Sequence, residues 1–127
     1  MKKLSDSEFE IIKVLWNQGT PMTSNEILDR IKDKYDWKLS ALMTILARMV
    51  DKGYVYCDRN TRTNYYSAVI SQKEYQVQES KTFLERLFDN SATKMIAQLC
   101  KANTLSQEEI SELRNYLDSL EGRNNNE

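Results

Sequence analysis

The chain is 127 residues long, room for one or two small domains, with 40% hydrophobic and 29% charged residues and a formal net charge of −1. That is ordinary soluble composition, and no apolar run approaches the roughly 18–20 residues that cross a bilayer, so disordered and membrane-spanning classes are both set aside. Histidine is absent, which removes the commonest general base and metal ligand, and Cys57 and Cys100 have no CxxC or CxC spacing, so reduced cytoplasmic thiols are expected rather than a disulfide or a zinc site.

Met1 to Ser7 is too short and polar for a signal peptide. A Ser or Thr followed three residues later by Glu marks four helix starts: Ser5/Glu8, Thr23/Glu26, Ser71/Glu74 and Ser106/Glu109. In each, the hydroxyl accepts from a first-turn N–H while the Glu reaches back to the capping residue. Behind Ser5, Phe9, Ile12, Leu15 and Trp16 follow helical spacing, with Ile11 and Val14 widening the stripe, and Gly19 and Pro21 stop the helix. Ile27, Leu28 and Ile31 define a second short helix ending near Tyr35. A third runs from about Leu39 to Lys52, with Leu42, Ile45, Leu46 and Met49 on one face and Gly53 closing it.

The period then changes from helical to alternating. Tyr54–Cys57 and Tyr65–Val69 are short aromatic and β-branched runs around the polar stretch Asp58–Asn64, a hairpin pattern. Ser71 opens a long helix reaching about Asp89 through Tyr75, Val77, Phe83, Leu84, Leu87 and Phe88. Another runs from Ser91 to about Lys101 (Met95, Ile96, Leu99), and a last one from Ser106 to Leu120 (Ile110, Leu113, Leu117, Leu120). The predicted organisation is therefore residues 1–70, residues 71–121, and a polar flexible tail over 122–127.

Three short helices followed by a hairpin are the pattern of a winged helix-turn-helix, in which the third helix enters the DNA major groove and the hairpin flanks it. The predicted fold class is mainly α with a small β-hairpin wing, joined to a helical dimerisation domain. Charge supports a polyanion partner. Arg30 to Arg62 holds eight basic and four acidic residues, whereas residues 71–127 carry seven basic against ten acidic. Opposite its core stripe the third helix offers Ser40, Ala41, Met43, Thr44, Ala47 and Arg48, with no acid before Asp51, and the hairpin tip adds Arg59 and Arg62. The expected DNA-contacting residues are Ser40, Ala41, Met43, Thr44, Arg48, Arg59 and Arg62. Among them, Thr44 suits a thymine methyl or a base-edge donor, and Arg48 a phosphate.

In the second part, helices of this size would struggle to enclose Phe83, Leu84, Leu87, Phe88, Met95, Ile96, Leu99, Leu113, Leu117 and Leu120 alone, and a second copy is the usual remedy. A symmetric dimer would also link two weak half-site contacts. Catalysis finds no support: there is no glycine-rich phosphate loop among the three glycines and no nucleophile motif, and Glu108/Glu109 complement a helix dipole. The competing class is a winged-helix protein-interaction module that binds no specific DNA.

The chain resembles the penicillinase repressor family, the BlaI/MecI/CopY group of winged-helix regulators. The resemblance rests on Leu4-Ser5-Asp6-Ser7-Glu8-Phe9-Glu10 leading into Val14-Leu15-Trp16, on Asp36-Trp37, and on Thr44 with Arg48. It continues through Lys52-Gly53-Tyr54, Tyr65-Tyr66-Ser67, Ser80-Lys81-Thr82-Phe83 and Leu105-Ser106-Gln107-Glu108-Glu109-Ile110-Ser111-Glu112-Leu113-Arg114. It implies a cytoplasmic homodimeric repressor on a palindromic operator, with no cofactor and no membrane insertion. It also implies control of β-lactam resistance genes through a membrane sensor protease that cuts inducible members between Asn and Phe. The matching bond here is Gln98-Leu99, which is not that pair. The family's copper-responsive branch carries paired CxC motifs, where this chain has Cys100 alone. The β-lactamase-type members enter the third helix with Ser-Pro and two basic residues, where this chain has Lys38, Leu39, Ser40 and Met43.

Overall fold

The structure, a computed structural model, describes residues 3–125. In chain order the elements are α1 (Asp6–Gln18), α2 (Ser24–Ile31), α3 (Leu39–Asp51), β1 (Val55–Asp58), β2 (Tyr65–Ala68), α4 (Gln72–Phe88), α5 (Ala92–Lys101) and α6 (Gln107–Asn125). The helix starts lie where the capping chemistry placed them. At Ser5 and Thr23 both halves of the capping box are formed. The Ser106 hydroxyl accepts from Glu109 N–H while the Glu109 carboxylate accepts from Ser106 N–H. α1 ends on Gly19, whose φ of 73° is the left-handed conformation that lets its N–H close onto Leu15 O. Gly53, φ 86°, turns the chain out of α3 into β1 in the same way.

β1 and β2 pair antiparallel, Val55 opposite Ala68 and Asp58 opposite Tyr65. Met22, in the link between α1 and α2, exchanges both backbone hydrogen bonds with Tyr66, at 2.9 and 2.7 Å. The helix-turn-helix is thus stitched to the hairpin by main chain as well as by packing. Two aromatic anchors close the far side. Trp16 Nε1–H donates to Ile70 O at 2.9 Å, and the Tyr75 hydroxyl accepts from Leu4 N–H. The Tyr75 ring sits 5.8–5.9 Å from those of Phe9, Trp16 and Tyr54. Burial pushes that phenol up to about 12, so it stays protonated.

The chain divides between Glu79 and Ser80 into two compact units. The division expected from sequence fell at residue 70; Tyr75, nine residues before Leu84 on the same helix, is buried in the first core. That core is Leu4, Ile11, Ile12, Leu15, Met22, Ile27, Ile31, Leu42, Ile45, Leu46, Met49, Tyr54, Val55, Tyr66, Ile70 and Tyr75. The expected inward face of α1 is rotated. Phe9 and Trp16 are only partly buried against the core, while Ile11, Ile12 and Leu15 fill it. The rings of Phe9 and Trp16 pack at a tilt against Tyr75 instead, a contact that spacing within α1 does not reveal.

The remaining differences are smaller. β1 starts at Val55 rather than Tyr54, whose N–H closes onto Met49 O as the last turn of the helix region, and β2 ends at Ala68. α2 stops at Ile31 and a turn carries the chain to Tyr35. α6 continues to Asn125, through most of the segment expected as a tail. Asn126 and Glu127 lie outside the described residues.

Candidate nucleic-acid interface

α3 is held by Leu42, Ile45, Leu46 and Met49, all buried, against a core that includes Ile12, Ile27 and Ile31. The opposite face follows from helical geometry: Ser40, Ala41, Met43, Thr44, Ala47 and Arg48 are all exposed. The structure thus brings together the five α3 residues expected to touch DNA. Leu39, also exposed, joins them at the start of the helix, where sequence reasoning named it only as a departure from the family. The Thr44 hydroxyl donates to Ser40 O at 3.1 Å, so its proton is engaged in the helix and it presents lone pairs and a methyl outward. Arg59 and Arg62 are exposed on the turn between β1 and β2, which Asn60 N–H steadies by donating to Asp58 at 2.9 Å.

α3 differs from α1 and α2 at its start. Its N-cap is Lys38, with no side-chain cap, and no acid lies in its first turn. Its first N–H groups and the positive end of its dipole meet no side-chain carboxylate or hydroxyl, an electrostatic setting suited to phosphate.

The basic stretch then sorts into two sets. Lys32 pairs with Asp29 at 2.7 Å, Lys34 with Glu10 at 3.1 Å and Lys52 with Glu8 at 2.6 Å, while Arg30 donates to Gln18. Lys38, Arg48, Arg59 and Arg62 carry no ion pair among the described residues. Three of these four were expected at the interface. Lys38, at the cap of the third helix, was not named among them from the sequence. Glu8 is 1% exposed, and burial pushes its carboxyl up. The hydrogen bond from Lys52, then those from Ser5, outweigh that and hold it below the usual carboxylate value.

In the second unit no described residue from Ser80 onward is buried. Of the residues expected at a subunit contact, Phe83, Leu87, Leu117 and Leu120 are exposed, Leu87 at 56%. Leu84, Phe88, Met95, Ile96, Leu99 and Leu113 are half-buried. Tyr116, 63% exposed and three residues after Leu113, extends the α6 stripe and was missed because a tyrosine reads as polar at a helix surface. Gln98 is exposed and Leu99 half-buried. Their peptide bond lies inside α5, where Gln98 O and Leu99 O accept from Ala102 and Thr104 N–H at 3.0 Å each. Cys57 is half-buried and Cys100 exposed. Among the described residues no three His, Cys, Asp or Glu converge as metal ligands, and no helix is long and apolar enough to cross a membrane.

Comparisons with known proteins agree with this geometry. A family model described as penicillinase repressor matches residues 4–119. The penicillinase repressor of Bacillus licheniformis is 29% identical over 126 residues, which is 97% of this chain and 98% of that protein. The methicillin resistance regulatory protein MecI of Staphylococcus aureus (strain N315) is 23% identical over 116 residues, 91% of this chain and 94% of its own. Among solved structures, the DNA binding domain of the repressor BlaI gives a TM-score of 0.50 at 28% identity, covering 59% of this chain and 94% of that one. The monomeric form of Bacillus licheniformis BlaI in complex with the blaP half-operator gives 0.50 at 26% identity, covering 58% and 89%.

Proposed function

The chain belongs to the penicillinase repressor family, whose members are DNA-binding transcriptional repressors rather than enzymes, and from that premise we propose that it acts as a cytoplasmic homodimer on a palindromic operator. The observation that carries this reading is the common exposure of Ser40, Met43, Thr44 and Arg48 on α3 with Arg59 and Arg62 on the hairpin turn, in a segment similar to BlaI held on a half-operator. α3 lies in the major groove, Lys38 and Arg48 meet phosphates at its two ends, and Arg59 with Arg62 reach the backbone or minor groove. With Lys38, Leu39, Ser40 and Met43 in place of the Ser-Pro entry and two basic side chains, base readout rests on apolar contact and on Thr44. The operator therefore favours thymine methyls over the guanine contacts that arginine makes.

The apolar stripes of α4, α5 and α6 supply the dimer contact through Phe83, Leu84, Leu87, Phe88, Met95, Ile96, Leu99, Leu113, Leu117 and Leu120, joined by Tyr116. The genes controlled are of the antibiotic-resistance kind that the relatives' names describe, and a membrane sensor protease system is the partner for release. Cutting at Gln98-Leu99 requires the last turn of α5 to open first, because a protease takes an extended strand and this bond is helical.

The test is selection of duplexes from a randomised pool with the full-length chain, followed by footprinting and sedimentation. The expected result is a twofold-related footprint bound by two chains. Retention of no duplex, or an Arg59→Glu/Arg62→Glu chain that binds as tightly as the parent, overturns the reading and leaves a protein-interaction module.

A further inference from the structure

The two elements that face DNA diverge from one point. α3 ends at Asp51, Lys52 caps it by donating its N–H to Arg48 O, and Gly53 turns the chain. The fully enclosed Tyr54 then leads into β1 at Val55. Backbone bonds tie Tyr54 to both sides, its N–H donating to Met49 O at 3.0 Å and its carbonyl accepting from Val69 N–H at 2.8 Å.

The side chain of Lys52 leaves this junction and ends on Glu8, 44 positions earlier in the chain, with Nζ 2.6 Å from Oε1. The same oxygen accepts from Ser5 N–H at 2.8 Å, so the capping box of α1 orients the carboxylate that receives Lys52. Glu8 Oε2 is enclosed without a hydrogen-bond partner among the described residues. Nothing in the helix-capping role requires Glu8 to be buried; Glu26 and Glu109 close equivalent boxes from exposed positions. A carboxylate enclosed to this degree is unfavourable by itself, and an apolar pair of the same volume would stabilise the fold as well or better. What an ion pair adds over apolar contact is direction: apolar side chains slide on one another, whereas an ammonium on one carboxylate oxygen holds one arrangement.

We propose that Glu8 is a positioning residue for DNA binding: through Lys52 it fixes the junction between recognition helix and wing, and so withholds Lys52 from the phosphates. The inference rests on the DNA-binding reading above. In its simplest consequence, Lys52 is a strut and not a ligand, although it lies within the basic stretch and next to both contact elements.

The experiment uses the full-length chain and the duplex it selects from the randomised pool, with affinity measured against salt well below the melting temperature. Glu8→Gln and Lys52→Met each lower affinity about tenfold. Lys52→Met leaves the salt dependence as steep as in the parent, where loss of a phosphate ligand would flatten it by about one. The Glu8→Gln/Lys52→Met chain loses about tenfold as well, not the hundredfold of two independent contacts, since all three variants cut one link. The double variant leaves no unpaired buried charge and keeps the test open if a single variant is poorly folded. Amide exchange at Tyr54 and Val69 quickens in the same variants.

Three results overturn the proposal: folded variants that bind within twofold of the parent, a flattened salt dependence in Lys52→Met, or losses that vanish once affinity is corrected for the folded fraction. A parent chain that retains no duplex overturns the DNA-binding reading itself, an outcome distinct from variants that bind as the parent does.

Discussion

The two units of this chain solve the same problem in opposite ways. The first, up to Glu79, encloses a continuous core and needs no partner to do so. The second, from Ser80, is also built from helices, and no residue from Ser80 to Gly122 is buried. The apolar residue types do not separate them, since Phe83, Leu84, Leu87 and Phe88 are as apolar as Ile11, Ile12 and Leu15. The difference is closure. α1, α2, α3 and the hairpin approach from several directions and cover one another, whereas the stripes of α4, α5 and α6 are left with an open side. A large apolar area kept in water marks an interaction surface rather than a failed core. A first unit that closes its own core beside a second with exposed apolar stripes is the observation that the proposed dimer rests on.

The comparison breaks most sharply in the first core. Leu46→Ala, at a fully enclosed position, lowers stability by about 2–5 kcal/mol, read as a shift in the denaturant midpoint; a change below 0.5 kcal/mol would mean that the core is not closed as described. Next comes the open side of the second unit. Leu113→Asp/Leu117→Asp leaves helix content intact, yields a monomer by sedimentation, and weakens operator binding about a hundredfold as effective concentration is lost. Melting of the parent, but not of this variant, rises with protein concentration.

Acid comes third. Because the folded carboxyl of Glu8 lies below its ordinary value near 4.5, its contribution is fully present above that pH and is lost as pH falls through the lower folded value. Unfolding midpoints followed from pH 6 downward should drop below about pH 4.5, and Glu8→Gln should remove part of that slope. The smallest effects belong to the surface cations. Arg48→Ala, Arg59→Ala and Arg62→Ala each flatten the dependence of binding on salt by about one, while Lys32→Ala, already paired with Asp29, does not.

Much of the first unit was legible because its signals are local. The capping boxes at Ser5 and Thr23 and the turns at Gly19 and Gly53 are each contained within a few residues and appear in the structure where the sequence placed them, and the change from helical to alternating period at Tyr54 falls within one residue of the start of β1. The outward face of α3 was legible for the same reason, since once Leu42, Ile45, Leu46 and Met49 are inward the rest is geometry. What the sequence concealed is long-range. Tyr75 belongs to a core whose other members precede it by up to 71 positions, and only the fold shows that the first turns of α4 serve the first unit. Glu8 read as a capping residue and Lys52 as the end of the third helix, and their pairing changes the meaning of both. Lys38 joined the unpaired cations only once Lys32, Lys34 and Lys52 were seen to be engaged.

The Met22–Tyr66 bridge has a consequence for how such a molecule is switched off. It joins the connection before the helix-turn-helix to the second strand of the hairpin, so main-chain hydrogen bonds close the chain from Met22 to Tyr66 into a ring. An inducer acting on this ring would have to break main-chain hydrogen bonds to tilt one part against another. On the dimer reading proposed above, silencing that spares this bridge parts whole heads from one another, as a pair of tongs lets go without bending its tips.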